Sequence, residues 1–331
     1  MDFGLLRKAL DEISKDRLAD FIVFHVMGEP VLYPELARAI QYAKDKGLKI
    51  ELSTNGSLMT EDMLDKLLEA NTDYIVFSVL TPDEKSFIMR RAKMNFEEYK
   101  KHISTLIARA LDKKSNSNIV LFFLTTPFGK LIFPSKEFSI INNKKDLVKH
   151  VNCWLPAILE KLSDKDVKNK IEANMVNLRT RLFELGMLAW NKFKITNNFF
   201  LQTRVLGDWI HRGSNIHNIH RASFGCCEGL TKHFSILWDG DMVFCCVDFD
   251  GKTKFNNIKR NTIKEALQEK GIQNYINEFN RLRIKHPYCQ ICLGDSSFLN
   301  AFVRQAGSII YFKYFRRHWR KRWTKEESLV C

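Results

Sequence analysis

No stretch of this chain is apolar over the roughly 18–20 residues that a helix needs to cross a bilayer. Nor does its start look like an export signal: Met1-Asp2-Phe3-Gly4, with Asp11 and Glu12 soon after, brings acids where secretory and transit peptides bring bases. Acidic residues are nevertheless short overall, with 38 Asp and Glu against 52 Lys and Arg and a formal net charge of +14. Much of the excess falls after residue 300, and nothing else supports direct nucleic-acid recognition, so no nucleic acid is expected as a partner. What is present suits a globular enzyme. The 331 residues are 45% hydrophobic and include 25 Phe, enough for one barrel-sized domain with a small appendage.

Six of the eight cysteines fall between Cys226 and Cys292. Without an export signal, disulfides are disfavoured and a metal site in a reducing cytoplasm is expected. The middle of the stretch predicts a hairpin, with an alternating strand through Phe234, Ile236 and Trp238, an Asp-Gly turn at 239–240 and a return strand ending on Cys245-Cys246. That turn brings Cys245 back beside Cys227, while Cys289-Gln290-Ile291-Cys292 offers two more thiols. Four thiolates so gathered suit either a tetrahedral zinc or an iron–sulfur cluster. Cys226 and Cys246 are each able to replace their neighbours as ligands, whereas Cys153 and Cys331 stand apart.

Upstream, strands and helices alternate. Residues 3–15 have a helical period through Phe3, Leu6, Leu10 and Ile13; a strand is expected within 20–27, then a helix at about 34–46, a strand at 48–53, a helix at 60–70, a strand at 74–79, a helix at about 95–112 and a strand at 119–124. Such βα units imply a parallel sheet, with ligands at the carboxyl ends of the strands. Residues 125–198 predict a loop and two helices at about 144–162 and 165–191, the second with Ile171, Met175, Leu178, Leu182 and Leu185 on one side. Phe199–Val205 reads as a last strand, and Asp208-Trp209-Ile210-His211-Arg212 follows where substrate contacts are expected, with no role assigned to His211 or to His25. In the tail, Ile309, Phe312, Phe315, Trp319 and Trp323 share a helical face ringed by bases. That pattern fits an anionic membrane surface, or a helix packed back on the barrel.

Twelve residues separate Cys227 from Gly240 and four separate Gly240 from Cys245, and a distant Cys-x-x-Cys follows. This spacing resembles the SPASM or shorter "twitch" auxiliary-cluster module of radical S-adenosylmethionine (SAM) enzymes. Asp248, Gly251, Asn257 and Ile258 also sit where that module has them, although Asn256 replaces a usual Gly. The resemblance implies one [4Fe-4S] cluster on Cys227, Cys245, Cys289 and Cys292. The strand ends carry a second likeness, to the SAM-binding edge of the radical SAM barrel, in Gly28-Glu29-Pro30, then Ser53-Thr54-Asn55-Gly56, then Ser78. The resemblance implies that Glu29 faces the SAM amino group, that Ser53, Asn55 and Ser78 meet ribose and carboxylate, and that Arg90 or Arg91 pairs the carboxylate.

The Cys-x-x-x-Cys-x-x-Cys triplet that holds the catalytic cluster in that family is absent from these 331 residues. The resemblance therefore implies an incomplete (β/α)6 barrel without its first strand, as a fragment or a degenerate relative. The expected organisation is the barrel at 1–221 with a helical insertion at about 125–198, a Cys-rich β-hairpin domain at 222–296 and a basic amphipathic tail at 297–331. The full-length activity would be reductive cleavage of SAM to a 5′-deoxyadenosyl radical and hydrogen abstraction from a peptide, protein or small-molecule substrate. A ferredoxin or flavodoxin would supply the electron. The rival expectations are a non-catalytic iron–sulfur binding module and a zinc-ribbon adaptor.

Overall fold

Short polar side chains at the starts of the helices set where they begin. Thr60 Oγ1 accepts from the Met63 amide at the head of α3 (Glu61–Glu69), and Asn95 and Glu98 form a reciprocal capping box at the head of α5 (Phe96–Asp112). The structure, a computed structural model, describes residues 1–90, 92–126, 140–183, 191–206 and 218–315. It divides into two compact units, Ala19–Leu206 and a second made of Met1–Leu18 with Gly207–Cys331.

The first unit is a six-stranded sheet in the order β1-β2-β3-β4-β6-β5. Its strands are β1 (Phe21–Val23), β2 (Lys49–Thr54), β3 (Tyr74–Leu80), β4 (Asn118–Thr125), β5 (Asn191–Lys194) and β6 (Phe199–Val205), all parallel except β5. Because the order advances in one direction, right-handed crossovers place α2 (Leu36–Asp45), α3 and α5 on one face, with the single turn α4 (Glu84–Phe87) leading from β3 towards α5. Ile50, Leu52, Ile75, Phe77, Ile119, Phe123, Phe199 and Leu201 are buried under them. The opposite face carries the alternate residues and is partly open. The fold is thus α/β with a mostly parallel sheet, a partial barrel as expected.

The expected helices at 34–46, 60–70 and 95–112 are observed to within two residues of their ends. The strand expected within 20–27 is limited to three residues. Helices α6 (Lys144–Lys161) and α7 (Lys165–Phe183) form the insertion, with Ile171, Leu178 and Leu182 buried. The second insertion helix was expected to run to 191. Instead Asn191–Lys194 is a strand, antiparallel to β6, and Leu185 lies outside the described residues. Arg91, residues 208–212, Trp319, Trp323 and Cys331 also lie outside them.

The second unit holds α1 (Phe3–Asp16), the hairpin β7 (Ser235–Ile236) and β8 (Asp241–Val243) with β9 (Asn256–Asn257), and the helices α8 (Ile263–Gln268), α9 (Lys270–Asn280), α10 (Pro287–Cys292) and α11 (Phe298–Ile309). Its placement of α1 differs from the sequence expectation. Glu12 accepts from the Ile263 amide at 2.7 Å, and Lys8 Nζ donates to the Ile258 carbonyl at 2.5 Å. The helix therefore groups with the Cys-rich unit and not with the sheet. After α11 the chain continues as a π-helical stretch, Ile310–Phe315. No described helix is long and apolar enough to cross a membrane.

One residue clamps the insertion to the sheet unit. Trp154 on α6 is fully buried, its indole N–H donates to the Pro82 carbonyl at 2.9 Å, and its ring meets Phe96, Tyr99 and Phe123. Trp154→Ala should destabilise the protein by about 3–5 kcal/mol, through the cavity and the lost hydrogen bond. Denaturant titration reads this directly, and a loss below about 1 kcal/mol would mean that the insertion is not packed as described.

Candidate functional site

In the sheet unit one carboxylate draws the turn after β1 to the end of β2. Glu29 caps a 3-10 turn over Pro30–Leu32, accepting from the Val31 amide at 3.2 Å. It also accepts from Thr54 Oγ1 at 2.5 Å and from the Asn55 amide at 2.8 Å. Gly28 precedes it at φ +115°, a conformation that L side chains rarely adopt. Asn55 Oδ1 accepts from the amide and hydroxyl of Ser57, which closes the turn after β2. Gly56 has φ +72°, and a Cβ there would come within 2.4 Å of Ile103 Cδ1, so the chain passes α5 only as glycine.

Ser78 donates to the Thr54 carbonyl at 2.8 Å. Tyr99, buried on α5, donates to the Asn55 carbonyl at 2.7 Å, and Arg90 Nη1 donates both to Tyr99 Oη at 3.2 Å and to the Val79 carbonyl at 2.8 Å. Glu29, Asn55, Ser78 and Arg90 thus form one network, joined by Thr54 and Tyr99, which sequence reasoning missed. Both signals were present, since Thr54 lies between two chosen residues and Tyr99 follows Phe96 by three on a predicted helix. Ser53 is half-buried on the helix-free face.

His25, given no role from sequence, lies just before this network. Burial, and secondarily the Arg204 guanidinium, push its pKa down from 6.5 to about 4. A His with a depressed folded pKa stabilises the fold fully above pH 6.5, and that stability is lost as pH falls towards 4. The size is roughly 3 kcal/mol. His25→Gln should therefore flatten the fall in unfolding midpoint between pH 7 and 4. An unchanged slope would show that His25 is not buried in the neutral form.

In the second unit the thiols are brought together by two local devices. The hairpin returns the chain so that the Leu230 amide donates to the Phe244 carbonyl at 2.8 Å, which ties the Cys227 segment to that of Cys245. A Cβ on Gly229 would lie 3.1 Å from Cys245 Cβ and 3.3 Å from the Phe244 carbonyl, so close approach favours glycine there. The short helix α10, with Pro287 in its first turn and His286 as N-cap, sets Cys289 and Cys292 three apart on one face. Beneath them Phe244 packs with Leu230, Ile272, Phe279 and Ile284. Asp248, wholly buried, accepts from the Lys252 and Thr253 amides and from Thr253 Oγ1, folding the loop after Cys245.

Burial pushes the Cys227 thiol up to about 12, and the neighbouring Cys292, Cys245 and Cys226 add to this. Cys289 is likewise raised by burial and then by Cys227, Cys292 and Cys245. Thiols raised by burial, as Cys227, Cys245 and Cys289 are, form a donor set whose protonation a bound cationic metal centre would reverse. Among the described residues no three His, Cys, Asp or Glu side chains converge on a single ion position. Cys226 is held by its backbone amide, which donates to Ser308 Oγ at 2.9 Å, and Lys313 and Glu228 are charges that act on its thiol. Cys153 is exposed on α6.

Comparison with known proteins agrees with both halves of this geometry. Residues 1–126 match the family model of the radical SAM superfamily, and residues 226–293 match that of the SPASM iron–sulfur cluster-binding domain. A tungsten-containing aldehyde ferredoxin oxidoreductase cofactor-modifying protein of Pyrococcus furiosus is 35% identical over 79 residues, covering 24% of this chain and 22% of that protein. An S-adenosylmethionine-dependent nucleotide dehydratase of Selenomonas ruminantium is 28% identical over 152 residues, covering 45% and 54%. The chain thus spans between about a fifth and about half the length of these relatives. Among solved structures, Streptococcus suis SuiB bound to a precursor peptide superposes with TM-score 0.47 and 14% identity, over 83% of this chain and 60% of that one. The chain therefore carries a radical SAM domain and a SPASM domain, and domains of these types imply SAM and iron–sulfur clusters as cofactors.

Proposed function

We propose that this chain, carrying radical SAM and SPASM domains, binds SAM at the strand ends of its sheet unit and a [4Fe-4S] cluster at Cys227, Cys245, Cys289 and Cys292. The enzyme it serves abstracts hydrogen from an unreactive C–H bond. The observation that carries the reading is that Cys227 and Cys289, from segments 62 residues apart (289 − 227), both sense Cys245 and Cys292. When bound, the two cofactors supply one-electron and radical chemistry; the protein supplies position and charge.

Glu29 already accepts three hydrogen bonds from its own chain, and a carboxylate has about four acceptor positions. One remains for a primary ammonium such as that of SAM, and the three internal donors fix its direction. Gly28 and Pro30 hold that turn in shape. Ser53, Asn55 and Ser78 present hydroxyl and amide groups along the same edge, and Arg90 is held rigid by Val79 and Tyr99. Arg91 completes the proposed set from the sequence alone. A peptide or protein is the substrate class that the family resemblance favours. The reductant would be a ferredoxin or flavodoxin. The tail's contact would be with an anionic membrane, a reading that the exposed Phe298, Leu299, Phe302 and Val303 on α11 support.

Anaerobically purified protein should be brown, with about four irons and four sulfides per chain. Cys289→Ala or Cys292→Ala should remove most of that iron, while Cys153→Ala should leave it. A colourless protein with stoichiometric zinc would favour the zinc-ribbon reading instead.

Cleavage of SAM needs an iron with an open coordination position, which four cysteines do not leave. The 331-residue chain should accordingly bind SAM weakly and form no 5′-deoxyadenosine under dithionite, even with the cluster rebuilt. A longer chain bearing an upstream Cys-x-x-x-Cys-x-x-Cys segment should form it. In that chain Glu29→Gln should lower SAM affinity roughly tenfold or more, the loss expected for one charge-assisted hydrogen bond. Multiple turnovers by the shorter chain would place the catalytic cluster at the SPASM cysteines and overturn the assignment.

A further inference from the structure

The chain that leads to Cys227 is held twice. It is bridged first to the segment around the Cys-x-x-Cys. The Ala222 amide donates to the Gln290 carbonyl at 2.9 Å, the Gly225 amide to that of Leu282 at 2.9 Å, and the Ser223 carbonyl accepts from the Ile284 amide at 3.0 Å. Its remaining amides go to side chains of α11. Gln305 Oε1 accepts from the Ser223 and Phe224 amides at 3.0 and 3.3 Å, and Ser308 Oγ accepts from the Cys226 amide at 2.9 Å. The same helix reaches the other thiol segment, where Arg304 Nη2 donates to the Cys292 carbonyl at 3.1 Å and Nη1 pairs with Asp295 at 3.3 Å. Gly225 lies between them at φ +148°. A Cβ there would stand 3.1 Å from Ser308 Oγ and 3.3 Å from Leu293 Cδ1, so glycine lets both neighbours approach this arm.

We propose that Arg304, Gln305 and Ser308 are positioning residues of the thiol site, with α11 as the strut that sets the Cys227 arm and the Cys292 turn relative to each other. The helix spans Phe298–Ile309 and lies beyond the residues 226–293 that match the SPASM model, so the site extends past that module. That the thiols serve a metal centre rests on the reading above; that α11 holds their segments does not. The docking of α11 is chiefly polar. Ala301 and Gln305 are its buried residues, whereas Phe298, Leu299, Phe302 and Val303 are exposed, and its N-cap Ser297 makes no side-chain cap bond. Ring contacts of Phe302 with Phe224 and of Phe298 with His220 add to the polar ones. A helix of 12 residues is marginal by itself in water, so its order and that of the arm depend on the same few hydrogen bonds. When α11 frays, Cys226 and Cys227 are released together. Cys245, held by the hairpin and the Asp248 loop, keeps its place.

The test follows single thiols in the full 331-residue chain, metal-free and anaerobic, by iodoacetamide alkylation and mass spectrometry. Buried thiols react only when their segment opens, so the rate of each reports its own release. Ser308→Ala and Gln305→Ala should each speed alkylation of Cys227 roughly tenfold, as expected when a partly buried amide loses its acceptor, and leave Cys245 unchanged. Arg304→Met should act in the same way on Cys292. Ser308→Thr, which keeps the hydroxyl, should restore the original rate. Gly307 gives the opposite sign: the space around its Cβ position is open, and Gly307→Ala, by favouring the helix, should slow Cys227 about two- to fivefold. The iron-loaded variants should lose iron to a chelator in the same order of rates. Unchanged Cys227 labelling in both alanine variants would overturn the proposal. So would an equal rise at Cys227 and Cys245, which marks general destabilisation and not a released arm. Failure of the unaltered chain to take up iron counts against the proposed function alone, because the labelling is read without metal.

Discussion

The sheet unit depends on how three strand ends are held without side chains long enough to span them. A parallel strand leaves its last carbonyls and amides unpaired at the carboxyl edge, and buried polar groups without partners are costly. Glu29 answers part of this, taking the Asn55 amide and Thr54 hydroxyl of β2's end on one carboxylate. Ser78 and Tyr99 take carbonyls at the same edge, from Thr54 and Asn55. The residues that satisfy the backbone are thus those proposed to meet the ligand. A site built this way is rigid before anything binds, so little ordering is left for the binding step. Two turns passing through left-handed glycines, Gly28 and Gly56, let the backbone reach that edge, and at Gly56 the side of α5 admits nothing larger.

The thiol site follows the opposite logic. Its proposed ligands come from three segments supported by the aromatic cluster around Phe244 and the buried Asp248 loop. Burial raises the Cys227 and Cys245 thiols, so thiolate forms there only with a compensating positive charge such as a metal centre. Assembly of the unit and of its cluster should therefore be coupled, unlike the pre-formed carboxyl edge of the sheet.

Much of this was legible because it is local. The period of α3 and α5, the Asp-Gly turn and the Cys-x-x-Cys each specify structure within a few residues, and they are found where expected. The missing parts are the long-range ones. Helix α1 carries an apolar face, but that its partner is α8, some 250 residues on, leaves no trace in its period. Strand β5 escapes sequence reading because Asn191-Lys192-Phe193-Lys194 is too short to alternate convincingly, and only pairing with β6 makes it a strand. Adjacent thiols such as Cys226 and Cys227, or Cys245 and Cys246, are indistinguishable by spacing, since they differ only in which way the folded backbone points them.

The charges of the helix-free face show the same limit. Lys49, Lys192, Lys194 and Arg204 are scattered over 155 residues (204 − 49), and basic residues are common in this chain, so composition alone gives them no meaning. Strand parity collects them. A parallel sheet covered by helices on one side can place charge only on the other.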